Sequence, residues 1–141
     1  MIRSLFFLAA GCVLSACSAP SDSSKTQAAA VTPAAYFGVW HWIGSATDRV
    51  ANPSRYSLDF QADGTVLVVA DCNRGQGSYR LQASGLTIER PALTKIGCGA
   101  QSRDREFLDA ITQAKGLTPD GDQLQIELVS GDRMIFARAA R

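Results

Sequence analysis

From Val39 to Ala137 the chain alternates apolar and polar residues with a period of two, broken every few residues by Gly, Asp or Ser. Such a rhythm puts one face of each short strand in a core and the other in water. Trp40 and Trp42 share one face of the first run; Val39, His41 and Ile43 take the other. Tyr56, Leu58 and Phe60 alternate with Ser57, Asp59 and Gln61 before Asp63-Gly64, a hairpin turn with φ > 0. A two-residue loop there would pair Phe60 with Leu67 and Leu58 with Val69, whereas a three-residue loop would bring Val66 and Val68 to that face; both registers stay open. Tyr79 and Leu81 face Leu86 and Ile88 across Ala83-Ser84-Gly85. Leu124, Ile126 and Leu128 alternate up to Ser130-Gly131-Asp132, and Met134 to Ala137 closes the pattern. One stretch has helical spacing: Phe107, Leu108, Ile111 and Ala114, with Ser102 or Asp104 as cap and Gly116 as the residue that ends it. The expected fold is mainly β (α+β): a small antiparallel barrel or roll of seven or eight short strands, its one helix covering an open end or edge.

The first part of the chain does not belong to that pattern. Arg3 precedes a short apolar run, Leu5 to Leu14, about half of what a membrane-spanning helix needs and typical of an export signal. Leu14-Ser15-Ala16-Cys17 follows, and it resembles the lipobox of bacterial lipoproteins, whose cysteine takes a diacylglycerol and becomes the new N-terminus. Cys12 competes less well, because it lacks an aliphatic residue three positions upstream. The expectation is therefore a cleaved signal peptide (1–16), a lipid on Cys17, and a tether through residue 35. Ser18 to Ala35 has no aromatic residue and is rich in Ser, Ala, Thr and Pro, so it cannot bury enough apolar surface to order itself. A folded domain would span 36–138. By resemblance, Ser18 after the lipidated cysteine implies the inner leaflet of an outer membrane, facing the periplasm.

Charge narrows the function classes. Lys plus Arg number 14 and Asp plus Glu 13, so the formal charge is +1. No basic excess is present to neutralise phosphates, which argues against nucleic acid as a partner. The expected contacts are the membrane through the lipid, an unknown envelope protein or a small apolar ligand, with the domain itself a monomer.

The middle of the domain carries a family resemblance. Asp71-Cys72-Asn73-Arg74-Gly75-Gln76-Gly77-Ser78-Tyr79 is followed by Leu86-Thr87-Ile88, by Thr94-Lys95-Ile96-Gly97-Cys98 and by Glu106-Phe107-Leu108. A Cys-Asn near a strand end, a Gly-x-Tyr, a Thr-x3-Cys before a helix, and a first strand with tryptophan resemble the META/HslJ family of small bacterial envelope domains. The chain departs from it at Asp71, where glycine is frequent, and at Gly75, where an aromatic is frequent. The resemblance implies a lipocalin-like barrel with a helix, and an association with stress response and envelope tolerance to antibiotics. Asn73, Arg74, Gly77, Tyr79 and Thr94 are the motif positions, in a structural or binding loop.

Each has a plain physical reading. Cys72 and Cys98 are the only thiols left after processing, in an oxidising compartment. A disulfide closing their loop of about 25 residues would contribute roughly 3 kcal/mol. Redox and metal roles are the alternatives, without a Cys-x-x-Cys or a histidine cluster to support them. Asn73 tolerates a left-handed backbone at a strand exit. Gly75 and Gly77 permit a tight return or bulge. Arg74 could hold an anion, though pairing with Asp71 or a solvated side chain is the plainer reading. The Thr94 hydroxyl would hydrogen-bond the loop. His41, the only histidine, has no Ser or Cys partner near it in sequence, and reads as a hydrogen-bonded structural residue. Asp120-Gly121-Asp122 lacks the other ligands of a calcium loop and reads as a turn. No cofactor, metal or catalytic set is indicated. The leading expectation is a non-enzymatic envelope lipoprotein. The alternatives are a small-ligand binder walled by Trp40, Trp42, Phe60 and Tyr79 at a barrel mouth, and an inhibitor of a cell-wall hydrolase presenting Asp71 to Gln76.

Overall fold

A computed structural model describes residues 33–140. The signal segment, Cys17 and the tether up to residue 32 lie outside the described residues. A single helical turn, α1 (Pro33–Tyr36), leads into strand β1 (Gly38–Gly44). There follow β2 (Tyr56–Phe60), β3 (Thr65–Ala70), β4 (Asn73–Gln82), β5 (Gly85–Ile88) and β6 (Ala92–Leu93). Helix α2 (Asp104–Ile111) comes next, then β7 (Ala114–Asp120), β8 (Gln123–Leu128) and β9 (Arg133–Arg138). All pairs are antiparallel, in the order β5-β4-β3-β2-β1-β9-β8-β7, with β6 continuing beside β4. The sheet curls into a nearly closed barrel. Its seam lies between β5 and β7, where Gly85 packs so near the Lys115 carbonyl that a Cβ would sit 2.1 Å from that oxygen. β7 carries Pro119, whose missing N–H blunts an edge strand.

The strand count exceeds the expectation by the two-residue β6 alone. The β2–β3 register is the one that a three-residue loop gives. Phe60 pairs with Val66 and Leu58 with Val68, so both valines are buried and Leu67 faces out. Gln61 bonds Thr65, and Gly64 has φ 86°, the left-handed residue such a loop needs. The helix is shorter than its apolar spacing implies. Thr112 Oγ1 and Gln113 Nε2 both donate to the Asp109 carbonyl, ending the helix. Ala114 then pairs with Leu128, and Gly116 lies in β7 past a bulge. These residues suit either period, and the β8 ladder takes them.

Gly75 and Gly77 do not make a turn. Both lie in β4 with their missing side chains on its inner side, where the Glu89-to-Leu93 segment crosses. A Cβ on Gly75 would stand 1.8 Å from the Ala92 carbonyl oxygen, and one on Gly77 3.1 Å from that of Glu89. The close crossing occupies the space an aromatic would need at 75.

The interior is filled. Trp40, Leu58, Phe60, Val66, Leu124 and Phe136 are at most 1% exposed. At one end Tyr36 packs edge-on against Phe60 and Tyr79. At the other, Phe107 of α2 lies against Trp42, Tyr56 and Phe136. Gly75→Ala is expected to lower stability by about 1–3 kcal/mol. Gly97→Ala, with nothing within 4 Å of the added carbon, should stay within about 0.5 kcal/mol of the parent. Urea unfolding of the two variants measures both.

Candidate functional site: the disulfide-braced loop

β1 runs from Gly38, beside α1, to Gly44, so the barrel end opposite the chain's entry holds Gly44, Tyr56, Ala70 and Asn73. Two of the separate motifs meet there. Cys72 and Cys98 form a disulfide. Asn73, 5% exposed, turns its amide onto the segment between them. Its Oδ1 accepts from the Ile96 N–H (2.8 Å) and the Thr94 hydroxyl (3.1 Å). Its Nδ2 donates to the Ile96 carbonyl (3.0 Å) and lies 3.2 Å from Cys98 Sγ. Thr94 Oγ1 also accepts from the Arg74 N–H at 3.1 Å, and the Thr94 N–H donates to the Arg74 carbonyl. One amide thus satisfies both backbone groups of Ile96, which stands 58% exposed at the centre of the loop.

Asn73 itself is ordinary β backbone. The left-handed residue is Asp71, at φ 61°, which gives a physical reason for the glycine frequent at that position. The Asp71 carboxylate is almost fully buried, and the guanidinium that meets its charge belongs to Arg55, not to Arg74. Among the described residues Arg55 is the one ion-pair partner of Asp71. Arg74 is exposed and, among the described residues, makes no ion pair. Asn73 to Gln76 form the start of β4, laddered to β3, and not a free loop. The exposed segment is Thr94 to Gly97.

Gly77 and Tyr79 do not join this site. Tyr79 belongs to the aromatic cluster near α1 and donates to the Gln61 carbonyl at 2.7 Å. Burial, then the neighbouring Tyr36 hydroxyl, push its phenol up to about 12. The proposed ligand walls Trp40, Trp42, Phe60 and Tyr79 pack into the core instead of facing a lumen. A half-open groove of about 710 Å³ lies outside it, between α2, Ser45–Thr47 and the β8–β9 turn. Trp42, Ala110, Leu128 and Met134 line it on the apolar side, with Glu106 and Asp132 among its polar lining. His41 lies on the outer face, opposite Ser57, and among the described residues its Nδ1 has no hydrogen-bond partner, contrary to the bonded role expected of it. Asp120 pairs with Gln123 around a Gly121-Asp122 turn. Among the described residues no His, Cys, Asp and Glu group could hold a metal ion. Arg55 and Ile96 escaped sequence reasoning: the Arg55–Asp71 pair has no local spacing, and Ile96 showed only as one apolar residue in a polar run.

Three variants test the brace. Asp71→Gly removes a buried charge and a left-handed side chain, and should raise stability by about 1 kcal/mol; Arg55→Ala strands the carboxylate and should lower it by about 2 kcal/mol. Asn73→Asp sets an acceptor against the Ile96 carbonyl and should cost about 1–3 kcal/mol. Chemical denaturation reads all three.

The fold and the motif have relatives. A META domain family model matches residues 31–141. An NMR structure of a protein from Burkholderia xenovorans is 22% identical, with a TM-score of 0.57 over 74% of this chain and 83% of its own. A crystal structure of a DUF4847 family protein from Bacteroides vulgatus is 18% identical, with a TM-score of 0.52 over 74% of this chain and 94% of its own. A further NMR structure is 17% identical, with a TM-score of 0.59 over 77% of this chain and 95% of its own. At these identities the likeness is one of fold. No curated protein matches the chain. The family match covers every described residue, and its Cys-Asn and Thr-x3-Cys motifs converge on one brace: the chain belongs to the META domain family.

Proposed function

We propose that this META domain is a non-enzymatic, lipid-anchored component of a bacterial envelope that faces the periplasm and acts by contact, in a stress or envelope-tolerance setting. One observation carries the reading. The polar groups of the family motif point at the loop's own backbone: the Asn73 amide and the Thr94 hydroxyl are engaged within it, and the two sulfurs are bonded to each other. A motif so occupied holds a shape and leaves no nucleophile or base for a substrate. Beside Ser57, His41 Nδ1 has no orienting carboxylate among the described residues, which favours the non-enzymatic reading. The filled barrel interior disfavours a ligand in its mouth.

The anchor supplies the location. Several acyl chains on Cys17 would hold the chain to the membrane at roughly 0.8 kcal/mol per buried methylene. In fractionated cells the full chain should sediment with membranes and resist high salt, and Cys17→Ala should move to the soluble fraction. Full chain found soluble would overturn the anchored reading.

A further inference from the structure

Four large apolar side chains stand exposed among the described residues: Val39, Leu67, Ile96 and Val129. Two lie on strands and one in the β8–β9 turn; Ile96 alone has both its backbone groups gripped by a buried side chain. The disulfide and Thr94 fix the segment on either side. The fold thus immobilises an isoleucine in water, although its burial would be favourable.

Its surroundings are cationic. Lys95 adjoins it and Arg74 is bonded through its backbone to Thr94. Both are exposed, and neither makes an ion pair among the described residues. From Pro91 to Arg103 the chain has no carboxylate. The nearest acid by sequence to Arg74, Asp71, is met by Arg55, while Arg103 is engaged by Glu106 and Asp48.

We infer that the Thr94–Cys98 loop is a preformed docking knob. Ile96 enters an apolar pocket on a partner protein, and Lys95 and Arg74 meet carboxylates at that pocket's rim. The inference rests on the proposal that the domain acts by contact, and it names the surface and the chemistry of the partner. Rigidity favours a protein over a bilayer. A cleft rewards a side chain already held in its bound position, because no ordering cost remains, whereas fluid lipid rewards no particular shape. The cations would steer the encounter with an acidic rim and make it salt-sensitive.

The test uses the full chain in intact cells, with the photocrosslinker benzoylphenylalanine placed at Ile96 or, as control, at Gln123 on β8. A protein adduct at 96 exceeding that at 123 by about tenfold or more is expected. The adducted protein is then identified and purified. Its affinity for the wild-type domain should fall about tenfold or more with Ile96→Asp and with the Arg74→Glu, Lys95→Glu pair, and should survive Lys95→Arg. These side chains make no contact that the fold requires, so unchanged thermal midpoints certify the variants. Insensitivity to charge reversal overturns the inference, as does an adduct to lipid. So does binding of the domain to phosphatidylglycerol vesicles that Ile96→Asp abolishes. Protein adducts at 123 alone would overturn the knob and keep the contact reading; none at either position would remove both.

Discussion

The two indoles on β1 are what the rest of the barrel is built around. β1 lies in the middle of the strand order, and Trp40 and Trp42 both point inward from it. A buried indole N–H needs an acceptor. Trp40 reaches the Tyr36 carbonyl at 2.8 Å and Trp42 the Gly44 carbonyl at 2.9 Å. An arginine covers each ring: Arg138 at 4.1 Å over Trp40 and Arg103 at 4.6 Å over Trp42. Arg138 also donates to the carbonyls of Ala35 and Phe37, tying the entering chain across one barrel end. Arg103 is held by Glu106, which raises its pKa further, and also by Asp48, and so fixes the start of α2 over the other end. Both ends close for the same reason, and the volume a lipocalin-like shape would leave for a ligand is taken by the protein itself.

That logic was partly legible in the residues. Alternation identified the inward faces of β1, β2, β5 and β8, because a period of two needs no tertiary information. The β2–β3 register needed the conformation of Gly64, and either loop length would have buried apolar residues. The helix end failed for a related reason: Ala114 and Gly116 fit a helix as well as a strand, and only pairing with Leu128 and Glu127 decides. Arg55 and Asp71 stand sixteen positions apart on either side of a hairpin, so no local pattern joins them. The crossing that requires Gly75 is a tertiary contact with Ala92, and local sequence offered only generic readings of such a glycine.

The motif was legible as a resemblance before it was legible as chemistry. Cys72, Asn73, Thr94 and Cys98 look like two separate signatures some twenty positions apart. In space they are one device. The disulfide brings the loop back to the start of β4, and the Asn73 amide reads the polarity of one peptide segment, N–H on one side and C=O on the other. An amide can donate and accept at once, which neither Asp nor Leu of similar size can do. Thr94 completes the set by donating to Asn73 while accepting from Arg74.

Core and loop are consequently held by different residues. The barrel rests on inward-facing aromatics and aliphatics, and the loop's shape on a few polar groups at one end. The side chains of Lys95, Ile96 and Arg74 project from that brace and carry no share of the core, so they can change with little effect on the fold. Surface residues under no structural demand usually drift toward polar ones. An isoleucine kept exposed on a braced segment, beside two cations that make no ion pair among the described residues, is therefore better explained by something it touches than by anything it holds up.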